Sequence, residues 1–234
     1  MLPAENGEEI FHRFVLGTYE LMEKITSEFP DVLLENCSGG GGRFDPAMLY
    51  FSPQIWTSDN TDPIDRIPIQ FGTSMCYPAS TMGAHVSMCE RTDFNTRGRV
   101  ALWGTFGYEL DPREISEEDK ITVKKQIEEY HKSYDLIHNG DLYRLINPWE
   151  NKMRAAWEFV SPDKSKAMFT VVIMRQDLSR TLFLRLKGLD PNKYYKREDN
   201  GEIYSGALLM NAGLSLSNMP HWTGCGYSVY FEEI

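Results

Sequence analysis

The chain has 234 residues, with 24 Lys+Arg against 34 Asp+Glu and a formal net charge of −10 at pH 7, and its 41% hydrophobic and 25% charged content is that of a globular protein with a core to bury. The acidic balance argues against nucleic acid or an anionic membrane as the main partner, because both reward clustered Lys and Arg. No apolar run reaches the ~18 residues that span a bilayer, and Cys37, Cys76, Cys89 and Cys225 show neither disulfide density nor paired metal-ligand spacing.

The opening residues Met1 to Asn6 lack the basic and apolar regions of a signal peptide. The expectation is a cytoplasmic protein with no metal and no cofactor. Asn6-Gly7-Glu8-Glu9 reads as a capping box, and Phe11, Phe14, Val15, Leu21, Met22, Ile25 and Phe29 recur at helical spacing until Pro30. A short apolar run, 31–35, predicts a strand, followed by the glycine loop that starts at Cys37. Gln54 to Thr57 predicts a second strand. Residues 65–77 predict a helix interrupted by Pro68, 77–86 a third strand, and 100–104 a fourth. Ser116 to Asp119 is another capping box, opening a helix with Ile127, Tyr130, Tyr134 and Ile137 on one face and Gly140 at its end. Beyond Gly140 the character changes. The runs 155–160, 167–174, 181–186, 194–197 and 227–231 are strand-like, and Ser-Pro-Asp, Gly-Leu-Asp-Pro and Asp-Asn-Gly turns separate them. About four βα units with a parallel sheet, then a small all-β domain, is the pattern.

In such units functional groups collect at the carboxyl ends of the strands, where three clusters fall. Cys37 to Asp45 contains four successive glycines, a substrate-cradling loop or simply a turn. It is not a phosphate loop of the Walker type, because Arg43-Phe44 stands where Lys and Ser or Thr are needed. Asn36-Cys37-Ser38 matches a glycosylation sequon by form only. Trp56-Thr57-Ser58-Asp59-Asn60-Thr61-Asp62 sets an aromatic beside carboxylates, the equipment of sugar hydrolysis. The plainer reading is that Asp59 and Asp62 cap the next helix. The third cluster centres on His85, which as a lone histidine reads more simply as a hydrogen-bonded wall residue than as a base.

Four long segments occur in order: Leu34-Glu35-Asn36-Cys37-Ser38-Gly39-Gly40-Gly41-Gly42-Arg43-Phe44-Asp45, the Trp56 to Asp62 segment, Tyr77-Pro78-Ala79-Ser80-Thr81-Met82-Gly83-Ala84-His85-Val86-Ser87, and Gly104-Thr105-Phe106-Gly107-Tyr108-Glu109-Leu110-Asp111. The set resembles the carboxyl-terminal third of family 36 glycoside hydrolases, the alpha-galactosidases that act on melibiose and raffinose. Leu209 to Leu214 extends the similarity toward the end. The resemblance implies an α/β fold: the second half (strands five to eight) of a (β/α)8 TIM barrel over 1–140, then an antiparallel β-sandwich over 141–234. It implies hydrolysis of terminal alpha-galactosides with retention of configuration. Asp59 would be the general acid/base, protonated in the first step and ionised in the second; Cys37, Gly39 and Trp56 would line the galactose pocket.

Two departures matter. The family's nucleophile is an aspartate in a Lys-Trp-Asp motif, and none of the five tryptophans here precedes Asp. The stretch Glu90-Arg91-Thr92 after Cys89 is shorter than the family's. The expectation is therefore an acid/base half without its nucleophile, inactive as an isolated chain. Its partners would be a small alpha-galactoside, and either a second copy or an amino-terminal segment. The alternative is a non-catalytic carbohydrate-binding or self-assembling half-barrel, since a half-barrel leaves strand edges and apolar surface open.

Overall fold

The computed structural model describes residues 7–176, 183–217 and 222–234. They form two compact units, 1–59 and 60–234.

In the first unit the expected helix is α1 (Gly7–Glu28), ending ahead of Pro30. Asn6, its expected cap, lies outside the described residues. The predicted apolar face is not buried: Phe11, Phe14 and Leu21 are 78%, 65% and 54% exposed. Strand β1 (Glu35–Asn36) is shorter than expected and pairs in parallel with β2 (Gln54–Trp56) through Glu35↔Gln54 and Asn36↔Ile55. Residues 31–34 stay outside that ladder, with Leu33 82% exposed. Between the strands runs α2 (Pro46–Phe51). Its first-turn amides at Ala47 and Met48 donate to the Asp45 carboxylate, both at 2.9 Å, and Pro46 needs no partner at that position. Tyr19 of α1 stacks on Phe51 with centroids 6.2 Å apart, which ties the two helices.

The second unit opens with α3 (Pro63–Thr73), which continues through Pro68 instead of breaking there. Proline removes one helical hydrogen bond, but Ile64, Ile67 and Phe71 are buried on the inner face and hold the turns on either side. Strand β3 (Met82–Ser87) follows a single 3₁₀ turn at 79–81, so the expected third strand begins later than Tyr77. The expected strand at 100–104 is a correction. Those residues finish α4 (Phe94–Ala101) and the turn after it, and the strand is β4 (Thr105–Glu109). Val100, Ala101, Leu102 and Trp103 are all within 2% of full burial; a run buried all round has no period to separate helix from strand. The start signal was Asp93, whose carboxylate accepts the Thr96 amide at 2.6 Å. β3 and β4 are parallel, from Gly83↔Thr105 to Ser87↔Glu109. Helix α5 (Glu117–Asn139) follows as read, with the Ser116 hydroxyl accepting the Asp119 amide at 3.0 Å.

The remaining strands are β5 (Asp141–Ile146), β6 (Arg154–Val160), β7 (Lys166–Ile173), β8 (Phe183–Leu184), β9 (Tyr194–Arg197), β10 (Ile203–Ser205), β11 (Leu214–Ser215) and β12 (Gly226–Glu233), with α6 (Gly206–Asn211) before β11. Six form an antiparallel sheet in the order β10-β9-β12-β7-β6-β5, and β11 and β8 form a two-stranded ribbon. Of the 181–186 run, Phe183–Leu184 is strand and 185–186 is irregular, and its first two residues lie outside the described ones. One face of the sheet shares a core with the ribbon through Phe169, Val171, Val229, Leu184, Leu214 and Leu216. The opposite face meets the preceding βα units: Trp157 stacks on Trp103, and the Gly226 amide donates to Thr96 Oγ1 at 2.8 Å.

Candidate active site

The chain leaves β1 through a turn with unusual backbone. Ser38, Gly39, Gly40 and Gly41 have φ of 69°, 62°, 75° and 99°. This is one left-handed turn, closed by Gly42 N–H to Ser38 O at 3.1 Å and Arg43 N–H to Cys37 O at 3.2 Å. Left-handed backbone costs an L-residue roughly 1–2 kcal/mol each, so a run of it selects glycine. Packing imposes a second requirement. A Cβ on Gly40 would lie 2.6 Å from the Asp59 amide nitrogen, and one on Gly41 2.8 Å from Thr57 O. The glycine turn therefore lies directly on the backbone that leaves β2. At Gly39 an added Cβ would meet nothing within 4 Å, so its conformation alone, not packing, favours glycine.

Two side chains meet across this contact. Cys37 accepts the Gly40 amide at its Sγ, 3.4 Å away, and directs its thiol at Asp59 Oδ1, 3.8 Å away. Asp59, the last residue of the first unit, is exposed, while Trp56 at the end of β2 is 8% exposed. The sequence-expected Cys37, Gly39, Trp56 and Asp59 thus occupy the ends of two adjacent parallel strands. Asn36, which the sequence reading passed over except as a sequon, anchors them. Its side chain is 5% exposed and donates to Ser52 Oγ at 2.7 Å, locking the end of β1 to the end of α2. Buried and bonded, it is no glycosylation acceptor.

Asp62 has the plainer role. Its carboxylate caps α3, accepting the Ile64 amide at 2.9 Å and the Asp65 amide at 3.3 Å, and pairs with Arg91 at 3.0 Å. Cys89 donates to it at 3.2 Å; burial, more than that carboxylate, pushes the thiol's pKa up, which makes it a poor nucleophile. In the loop that departs from the family pattern, Arg91 thus bridges Asp62 and Asp65. Asp59 does not share this capping task.

His85 on β3 packs edge-on over Gly107, where a Cβ would come within 2.7 Å of its ring, and its Nδ1 lies 3.9 Å from Glu109. Arg66 is 2% exposed and donates to Gly83 O on β3 at 2.6 Å and to Gln70 at 3.2 Å. Burial lowers the Arg66 pKa to about 10, while Glu109 pulls it back up. Arg66 carries no sequence signal, because it lies in an amphipathic helix; Glu109 falls in the Gly104 to Asp111 segment, but among ordinary strand-end charges nothing singles it out. Among the described residues no three His, Cys, Asp or Glu side chains are placed to hold a metal ion, and no helix is long and apolar enough to cross a membrane.

The chain as a whole matches known proteins closely. The melibiase family model covers residues 1–140, and the model of the family 36 glycosyl hydrolase carboxyl-terminal domain covers 154–228. The chain is 50% identical over 210 residues to the bifunctional alpha-galactosidase/sucrose kinase AgaSK of Mediterraneibacter gnavus, covering 87% of this chain and 22% of that protein. It is 48% identical over 222 residues to alpha-galactosidase AgaA of Geobacillus stearothermophilus, covering 92% and 30%. A crystal structure of an AgaA variant with raffinose superposes on all of this chain with a TM-score of 0.94 and 43% identity, using 33% of that chain. Another variant, with stachyose, gives 0.93 and 44%. The chain spans less than a third of the length of these two curated relatives. The parallel βα units and the antiparallel β domain are therefore those of the second half of this enzyme family's barrel and of its carboxyl-terminal domain. With a family model matched over its first 140 residues and relatives this close, the chain belongs to the melibiase family, in its family 36 glycoside hydrolase branch.

Proposed function

We propose that this chain is the acid/base side of an alpha-galactosidase that hydrolyses terminal alpha-galactosides such as raffinose with retention. The carrying observation is the approach of Cys37 Sγ to Asp59 Oδ1, 3.8 Å, with Trp56 on the adjoining strand end. In a retaining mechanism two carboxyl groups stand about 5–5.5 Å apart across the anomeric carbon. Asp59 protonates the departing glycosidic oxygen, then takes a proton from the water that releases the sugar. Its exposure suits that second task, since water must reach it. Trp56 offers a ring for the apolar face of galactose, while Cys37 and the open space above Gly39 border the same sugar. The division we infer is 1–140 for the barrel half and 141–234 for the β domain.

Retention needs a nucleophile, and no tryptophan of the 234 residues precedes Asp as in the family's nucleophile motif. Alone, the chain should therefore turn over a nitrophenyl alpha-galactoside at no more than background, and should gain activity when an amino-terminal segment bearing that motif is added. Turnover by the chain alone that disappears in Asp59→Asn would overturn this.

The non-catalytic, self-associating reading is favoured by one observation, the exposed Phe11, Phe14, Leu21 and Leu33 of the first unit. Light scattering separates the two: a monomer at all concentrations removes the case for self-assembly.

A further inference from the structure

A cleft of about 660 Å³ lies in the antiparallel domain, between the β9–β10 hairpin, the β8–β11 ribbon and the start of β12. Its walls combine three kinds of group. Phe183 on β8 presents a ring that is 60% exposed. The hairpin contributes planar polar groups that are already ordered. Arg197 grips Asp199 through bonds of 2.5 and 2.6 Å, and Asn200 donates to Glu202 Oε2 at 2.8 Å. The hydroxyl of Tyr204 donates to that same Glu202 oxygen. Tyr227, 8% exposed, also lines the cleft, and its hydroxyl is buried with no hydrogen-bond partner among the described residues.

Several ligand classes fit poorly. Asp199 neutralises Arg197, leaving Glu202 as the excess charge, so an anion is repelled. No group of three metal-ligating side chains occurs there among the described residues. A wholly apolar ligand would strand the hairpin's polar groups without water. A neutral sugar satisfies every wall, because a pyranose has a C–H face for an aromatic ring and hydroxyls that both donate and accept. We propose that this cleft is an accessory saccharide subsite, taking one neutral sugar residue with its apolar face on Phe183 and its hydroxyls on Asn200 and Glu202.

None of these residues belongs to the Cys37–Asp59 site, so the two assignments fail separately. The test is titration of the full chain carrying Trp56→Ala and Asp59→Asn with raffinose and with galactose, read by saturation-transfer NMR and calorimetry. Binding should persist in that background and weaken at least fivefold on adding Phe183→Ala or Asn200→Ala. Loss of all sugar binding in the Trp56→Ala, Asp59→Asn background would overturn the proposal. So would indifference to Phe183→Ala and Asn200→Ala, or preferential binding of inorganic phosphate or calcium chloride.

Discussion

The indole rings of Trp103 and Trp157 stack with centroids 4.1 Å apart and planes 14° from parallel. Trp103 closes the turn after α4 and Trp157 sits in mid-strand on β6, so this stack joins the βα units of the second unit to its antiparallel sheet. Both side chains are within 1% of full burial, and neither indole N–H has a partner among the described residues. The stack itself therefore rests on ring area and dispersion, while polar bonds such as Gly226 N–H to Thr96 Oγ1 add to the same joint. Trp157→Ala should cost ~3–5 kcal/mol in urea unfolding. Trp157→Phe should cost clearly less, because it keeps a ring to lie against Trp103. Equal losses from the two would show that the N–H group matters more than the stack.

Gly40 and Ser38 should respond oppositely to a change of side chain. Gly40→Ala places a methyl 2.6 Å from the Asp59 amide, on backbone that has no room to yield. A loss of roughly 1–3 kcal/mol is expected, together with weaker galactose binding as the Asp59 segment moves. Ser38→Gly removes the one non-glycine in the left-handed turn, φ 69°. It should hold stability level or raise it by up to about 1 kcal/mol, as thermal unfolding would report.

Glu158 makes stability depend on pH. It is fully buried on β6, accepts the Lys187 amide at 2.8 Å, and its other oxygen has no partner among the described residues. Burial raises its pKa from 4.5 to about 8, against the opposing pull of Lys187. The folded chain thus holds a proton between those values that the unfolded chain has released. Stability contributed by this group falls as pH rises from about 4.5 to about 8, with a limiting slope of about 1.4 kcal/mol per pH unit. Glu158→Gln should flatten that slope in denaturant titrations between pH 5 and 8. An unchanged slope would place the dependence elsewhere.

Phe14→Ser and Leu21→Ser should hardly alter unfolding of the isolated chain, within about 0.5 kcal/mol, because both side chains are already more than half exposed. Any association through α1 should nonetheless weaken, seen as a drop in light-scattering mass at fixed concentration.

Periodicity and capping carried the parts of the fold that reach the surface on one side. In α5, Ser116 announces the start and Gly140 the stop, and both stand where expected. The same reasoning failed at Val100 to Gly104, where burial on every side erased the pattern and Asp93 was the overlooked cue. It also passed over β5 and β10, whose residues are mostly half-buried and show weak alternation. For the site, residue types were legible and geometry was not. Cys37 and Asp59 are 22 positions apart, and only the left-handed turn, which glycine permits but does not dictate, brings thiol to carboxylate. By residue type Asp59 and Asp62 are alike, and only the family resemblance singled out Asp59 as the acid/base; in the structure the Ile64 and Asp65 amides bond to Asp62 as a helix cap.

That turn presents almost no side chains of its own, so no rotamer search stands between pairing β1 with β2 and seating Cys37 beside Asp59. The alignment is inherited from main-chain register. Damage can therefore arrive from a distance: loosening Asn36 from Ser52 would let one strand slide against the other and misalign the pair, though every group thought to touch the sugar stayed intact.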